Sequence, residues 1–200
     1  MLAVLLLGAC NPPAAPEVSA AQQAASSEFQ FTCEAFAEID GVTLAQRFGA
    51  ENISEGIDHV EGEPFPITVV FANDPAHRVA LTWRDTAGRT DVESVSISGG
   101  ESDWIGPAGL RLGQTLGEVE TLNGGPFLVA GFGWDYGGWA RGWEGGALER
   151  QSCRVGAAFT PHPDVRTEAI GDTLFASNTQ AMRDAEPRVY ELTLRFGDEG

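Results

Sequence analysis

Lysine is absent from this 200-residue chain, and all 12 basic residues are arginine, set against 29 acidic residues. The formal charge of −17 excludes a chain that holds nucleic acid or anionic lipid by bulk charge, because phosphate binding needs a cationic surplus. The acidic residues are scattered rather than blocked, as on a solvated surface. Cysteine and histidine are scarce, three of each, and their spacing fits no zinc site. His59, His77 and His162 stand in loop-like contexts and read as surface residues. Neither Gly-x-Ser-x-Gly nor His-Glu-x-x-His occurs. The pattern therefore calls for no metal, no cofactor and no catalytic residue. Long apolar runs are missing too. The run Leu2–Leu7 is far short of the roughly 20 residues that span a bilayer.

That short run is followed by Leu7-Gly8-Ala9-Cys10, the ending of a secretory signal. It resembles the bacterial lipobox, in which cleavage leaves a lipid-modified cysteine as the new N-terminus, and so predicts Cys10 as the lipidated residue. No Arg or Lys precedes the run, which points to a start upstream of Met1. Asn11 follows the cysteine, where inner-membrane retention is associated with Asp, so the outer membrane is favoured. Residues 11–28 are small, polar or proline and read as a tether reaching roughly 25 Å. Residues 29–200 are long enough for one domain with its own core. The expected location is the bacterial cell envelope, lipid-anchored and facing the periplasm.

With Cys10 lipidated, Cys33 and Cys153 remain, and in an exported protein two remaining cysteines read as a disulfide. The predicted fold class is α+β, mainly antiparallel β-sheet with short helices. Thr43–Gln46 and Thr115–Glu118 both have the capping-box form, and each opens a short apolar segment that stops at Gly49 or at Asn123-Gly124. Strands are expected at Ile67–Phe71 and Val79–Trp83, joined through Asn73-Asp74-Pro75, and at Val95–Ile97. Tyr190, Leu192, Leu194 and Phe196 alternate with Val189, Glu191, Thr193 and Arg195, the cleanest strand signal in the chain. A helix followed by strands occurs in 34–100 and in 101–200, so two copies of a helix-plus-meander unit are one reading and chance is the other. Residues 160–187 read as a loop with a short helix near Asn178–Asp184.

The stretch 123–146, NGGPFLVAGFGWDYGGWARGWEGG, is unlike its surroundings. It holds Trp134, Trp139 and Trp143 among seven glycines of its central and C-terminal part, Gly131, Gly133, Gly137, Gly138, Gly142, Gly145 and Gly146. Glycine weakens a strand unless something needs the space, such as an aromatic ring lying over bare backbone. Two short antiparallel strands at 127–134 and 138–144, with a turn at Asp135-Tyr136-Gly137-Gly138, are expected. Two readings of the rings stand. They form the core of a curved sheet, or some of them face a ligand such as a sugar ring. In the second reading Trp134, Asp135, Tyr136, Trp139 and Trp143 are the ligand-binding set. Asp135 can equally be a turn-former bonding its own backbone. Asp135 with Glu144 would be the carboxylate pair of a glycosidase, a reading with no other support in the sequence.

The segment from Gly109 to Leu148, with GLRLGQTLGEVETLNGGPF followed by GFGWDYGGW, resembles a family of uncharacterised bacterial envelope proteins and lipoproteins. Its members share a short helix ending in Leu-Asn-Gly, then Pro-Phe and Gly-Phe-Gly-Trp-Asp-Tyr-Gly-Gly. The resemblance covers about a fifth of the chain and carries over no catalytic residue. The helix-then-meander order also looks like the α+β modules of outer-membrane assembly lipoproteins and β-lactamase inhibitor proteins, a likeness of fold and not of function. The expected function is that of a non-enzymatic envelope lipoprotein acting through contact with another envelope protein. The alternative is a module that binds glycan or peptidoglycan through the Trp/Gly-rich stretch.

Overall fold

The structure is a computed structural model and describes residues 29–100, 102–164 and 167–197. Cys10 and the tether 11–28 lie outside the described residues. In chain order the elements are α1 (Cys33–Phe36), α2 (Gly41–Phe48), β1 (Ile53–Val60), β2 (Glu63–Val70), β3 (Val79–Asp85), β4 (Thr90–Ser98), α3 (Leu116–Asn123), β5 (Leu128–Ala130), β6 (Ala140–Gly142), β7 (Arg154–Thr160), β8 (Leu174–Ala176), α4 (Gln180–Asp184) and β9 (Arg188–Arg195). A six-stranded sheet has the order β1-β2-β3-β4-β9-β7, and a three-stranded sheet has the order β6-β5-β8. All pairings between these strands are antiparallel. The fold is α+β, as the sequence predicts. Among the described residues no helix is long and apolar enough to cross a membrane.

The alternating tail becomes β9 because one side of the strand can be buried and the other left half-exposed. It lies between β4 and β7, with Leu192 and Leu194 buried in the core. The helices cover the same face. Phe36, Leu44, Phe48, Leu116 and Val119 join Val79, Leu81, Val95 and Ile97 in one cluster. Trp104, from the connection between β4 and α3, is fully buried in that cluster. The opposite face of the sheet carries a smaller cluster, Ile67, Val69 and Ala80, with Phe65 packed on it.

Both helix starts follow from side chains that satisfy the first free N–H groups. At α3 the expected capping box is present: Glu118 accepts from Thr115 N–H at 2.8 Å, and Thr115 Oγ1 accepts from Glu118 N–H at 3.3 Å. The Thr115 backbone N–H first, and then the Thr115 hydroxyl, which also donates to the carboxylate at 2.8 Å, hold the exposed Glu118 carboxyl below its usual range. At α2 the cap sits three residues earlier than the sequence reading placed it. Asp40 is the N-cap and accepts from Val42 and Thr43 N–H at 3.1 and 2.7 Å, while Thr43 takes the inner position of the box.

The helix-then-strands order recurs in both halves, but the second half is distributed differently. Strands β1 to β4 follow α2 as neighbours in one sheet. After α3, strands β5, β6 and β8 make the small sheet, while β7 and β9 complete the large one. The segment 160–187, read as loop and helix, supplies both α4 and β8, and β8 pairs with β5 through Leu128↔Ala176 and Ala130↔Leu174.

The predicted disulfide joins Cys33 in α1 to Cys153 just before β7, with a Cα–Cα distance of 5.5 Å. A second latch was not legible in the sequence. Asn123, at the end of α3, is buried, and its amide donates to Trp143 C=O at 2.9 Å and Gly125 C=O at 3.3 Å. Its side-chain oxygen accepts from Leu148 N–H at 3.2 Å. Asn123→Ala leaves the buried Leu148 N–H without a partner and Trp143 C=O with only the Gly146 N–H. It is expected to destabilise the protein by about 2–4 kcal/mol in urea unfolding. A loss no larger than that of an ordinary surface substitution would show that the latch contributes nothing.

Candidate functional site

The Trp/Gly-rich stretch forms the β5–β6 hairpin, shorter than the sequence suggests, with register Leu128↔Gly142 and Val129↔Ala140. The segment 169–174 lies along its turn. Phe132 N–H donates to Ala169 C=O at 2.8 Å, Gly171 N–H to Phe132 C=O at 3.0 Å, and Gly131 N–H to Thr173 C=O at 2.8 Å. The hairpin also joins the large sheet, where Phe159 N–H on β7 donates to Gly138 C=O at 2.9 Å. Gly138 has φ 80°, and a Cβ there would collide with the Phe159 carbonyl, so only glycine fits. At Gly156 on β7 a Cβ would collide with Thr193 Oγ1 and would also meet Trp139 Cζ3 at 3.3 Å, so the missing side chain leaves room for both the hydroxyl and the ring. That is the arrangement expected of glycines interleaved with aromatics.

The three tryptophans have different fates. Trp143 takes the first of the two readings, as a core residue. It is 5% exposed, its ring lies 4.9 Å from that of Phe127, and its indole N–H donates to Val155 C=O at 2.9 Å. Trp139 is half-buried over Gly156. Trp134 is also half-buried, its indole N–H held by Gly131 C=O at 2.8 Å and its ring edge-on to Tyr136 at 6.0 Å. Tyr136 is 41% exposed. Its hydroxyl donates to the Glu61 carboxylate at the tip of the β1–β2 hairpin, and that bond pushes the phenol up, with the Glu61 charge adding to it. Asp135 is exposed, and among the described residues it forms no hydrogen bond of the turn-forming kind. The turn is closed by Gly137 N–H to Trp134 C=O at 2.9 Å. The ligand-binding set of the sequence reading is thus divided: Trp134, Asp135 and Tyr136 share the turn, Trp139 lies on the sheet, and Trp143 is inside.

The structure adds residues that the sequence reading missed. Ile170 and Leu174 are 59% and 53% exposed, and Ile170 lies against the turn at Gly133. They stand in the segment 160–187, read as loop and short helix. On the β1–β2 hairpin, whose tip meets Tyr136, Ile57 and Val60 are exposed as well. Beneath these elements the outer face of the large sheet carries small side chains in register: Val69↔Ala80, Ala80↔Ser96 and Thr193↔Gly156. Glu191 stands on β9 beside them. Burial is the main cause pushing its carboxyl up, the Asp58 charge adds to this, and Arg195 opposes it.

His77 is corrected as well. It is half-buried, with Nδ1 2.6 Å from Asp74 Oδ2 and Nε2 3.0 Å from Asp103 Oδ2. Its ring stacks on Phe29 at 4.0 Å. The hydrogen bond from His77 is the largest of the causes that lower the exposed Asp74 carboxyl. This cluster fastens the start of the domain and is remote in sequence from the aromatic turn.

No family model matches the chain, and no curated protein matches it significantly. Among solved structures it is similar to the crystal structure of the uncharacterized protein yfeY from Escherichia coli, at 11% sequence identity and a TM-score of 0.44, over 81% of this chain and 92% of that one.

Proposed function

We propose that the protein is a lipid-anchored envelope protein of bacteria that works by contact with another envelope protein, through the surface around the 134–138 turn. The observation that carries this reading is the set of large apolar side chains left exposed there: Tyr136, Ile170 and Leu174, beside the half-buried Trp134. Exposed aliphatic and aromatic side chains grouped beside charged ones, here Glu61, Asp135 and Arg141, suit the centre and rim of a protein interface. The anchor supports it from the sequence side, since Cys10 and the tether would hold the domain close to the membrane.

The reading is tested by crosslinking in intact cells and pulling down the full chain. The double variant Ile170→Asp, Leu174→Asp is expected to lose its crosslinked partner roughly tenfold or more, while the near-UV signal of the buried tryptophans persists. Recovery of the same complexes at the same yield would refute it. Glycan binding keeps one specific support, the exposed Asp135 beside Trp134. It requires that Trp134→Ala lose retention on cell-wall fragments while the aliphatic double variant keeps it.

A further inference from the structure

We propose that the free edge of β1 pairs with the same edge of a second copy, extending the large sheet across a two-fold axis at Ile57. This goes beyond the contact reading above and uses a different surface. Strand β1 is at the edge of the six-stranded sheet. Its register with β2 runs from Ile53↔Val70 to Val60↔Glu63 around a two-residue turn, Glu61-Gly62, with φ of 53° and 86°. The pair flanking such a turn is hydrogen-bonded, and bonded pairs alternate along the ladder. At the other end Phe71 N–H donates to Asn52 C=O at 2.8 Å, which keeps the same parity. The backbone groups of Ser54, Gly56, Asp58 and Val60 therefore face β2, and those of Glu55, Ile57 and His59 face outward.

The two edges of this ribbon differ. Strand β2 pairs with β3 only from Thr68 to Val70. Beyond that, its other edge is occupied by Pro64 and Pro66, which have no N–H to offer an incoming strand. The β1 edge, ISEGIDHV, has no proline, and Ile57 is 63% exposed. An edge left open beside one that is blocked is suited to strand addition. Two contacts now occupy the open edge. His59 N–H donates to Asp58 Oδ1 at 2.8 Å, and Glu55 accepts from Arg89 at 3.0 Å. The first must be exchanged for a bond to the added strand.

Charge selects a second copy in one register. An antiparallel neighbour sets outward-facing residues opposite one another, so the two-fold axis can sit at any position from Glu55 to His59. An axis at Glu55, Asp58 or His59 sets that side chain against its own copy, like charge on like charge for the two carboxylates. An axis at Gly56 sets Glu55 against an isoleucine. An axis at Ile57 sets Ile57 on Ile57 and Glu55 opposite His59 of the second copy, apolar on apolar and acid on base.

The test uses the full-length chain in its own cell envelope. Facing residues in a bonded antiparallel pair have Cα atoms about 5.5 Å apart, within disulfide range. Ile57→Cys is expected to give, under mild oxidation, a non-reducing band at twice the mass of the chain. Glu63→Cys, on the neighbouring strand and about 25 Å from its copy, is not. The wild type, with the same Cys10, sets the background. A second measurement needs no added cysteine. In sedimentation of the full-length chain in mild detergent, wild type is expected to shift to dimer with rising concentration. Ile57→Pro, which removes an outward-facing N–H, should weaken this roughly tenfold or more. Asp58→Ala, which frees His59 N–H, should strengthen it. Equal crosslinking at positions 57 and 63, no crosslinking, or identical sedimentation of wild type and Ile57→Pro would overturn the proposal. A band of another mass from Ile57→Cys would overturn the second copy as the occupant.

Discussion

Trp104→Ala is expected to cost about 4–5 kcal/mol, the upper end for a large-to-small core change. The residue is fully buried and is among the largest fully buried side chains. Its ring is within 5.3 Å of Phe29, 6.0 Å of Phe36 and Phe48 and 6.5 Å of Phe31, centroid to centroid. Deleting it opens a cavity whose aromatic walls, two of them fixed on α1 and α2, cannot readily collapse inward. It also leaves His77 C=O without the indole N–H that donates to it at 2.9 Å. In a domain of this size the midpoint of thermal unfolding should fall by roughly 10–15 °C. Trp104→Phe keeps much of the volume and loses the N–H, so its loss should be less than half as large. Equal midpoints for wild type and Trp104→Ala would mean that the aromatic cluster does not hold the domain together.

The second large effect concerns the disulfide. Cys33 and Cys153 are 120 residues apart, and closing a loop of that length restricts the unfolded chain by about 4–5 kcal/mol in the chain-entropy description. The bridge ties α1 to the residues before β7, beside the hydrogen bond from Ser152 to Glu34 at 2.9 Å. The double variant Cys33→Ser, Cys153→Ser should therefore unfold at clearly lower urea than wild type. A reductant should lower the wild-type midpoint to near that of the double variant and leave the variant where it is. If reductant does not move the wild type, the two cysteines are not bridged in the folded protein.

Local signals in the sequence were legible where the physics is local. The Thr115–Glu118 box needs only four consecutive residues, and it forms as read. The β9 alternation depends only on the pleat of the strand, and it holds from Glu191 to Arg195; ahead of that Val189 is buried and Tyr190 half-buried, where the register with β7 shifts. At α2 the same logic misplaced the cap, because Asp40 offers a carboxylate that two N–H groups can share and Thr43 then serves from inside. Strand β1 was invisible because it is exposed on most positions, so ISEGIDHV carries no clean alternation. Trp104 gave no signal at all, since it stands in a connection outside the regular elements.

By itself the sequence determined the α+β class, the helix stops at Gly49 and Gly124, the pairing of Cys33 with Cys153 and the place of the glycine-rich hairpin. These rest on composition, on capping over three or four residues, on strand periodicity and on the arithmetic of three cysteines. Only the tertiary structure decided which aromatic rings are inside. Trp139 and Trp143 stand four residues apart in similar glycine-rich surroundings, yet one lies over Gly156 at the surface of a sheet and the other is buried against Phe127 and the carbonyl of Val155. Burial depends on what arrives from distant parts of the chain. The same holds for Ile170 and Leu174, which β8 pairing carries to the aromatic turn, and for the β1 edge, which is open because β1 is the outermost strand of the large sheet.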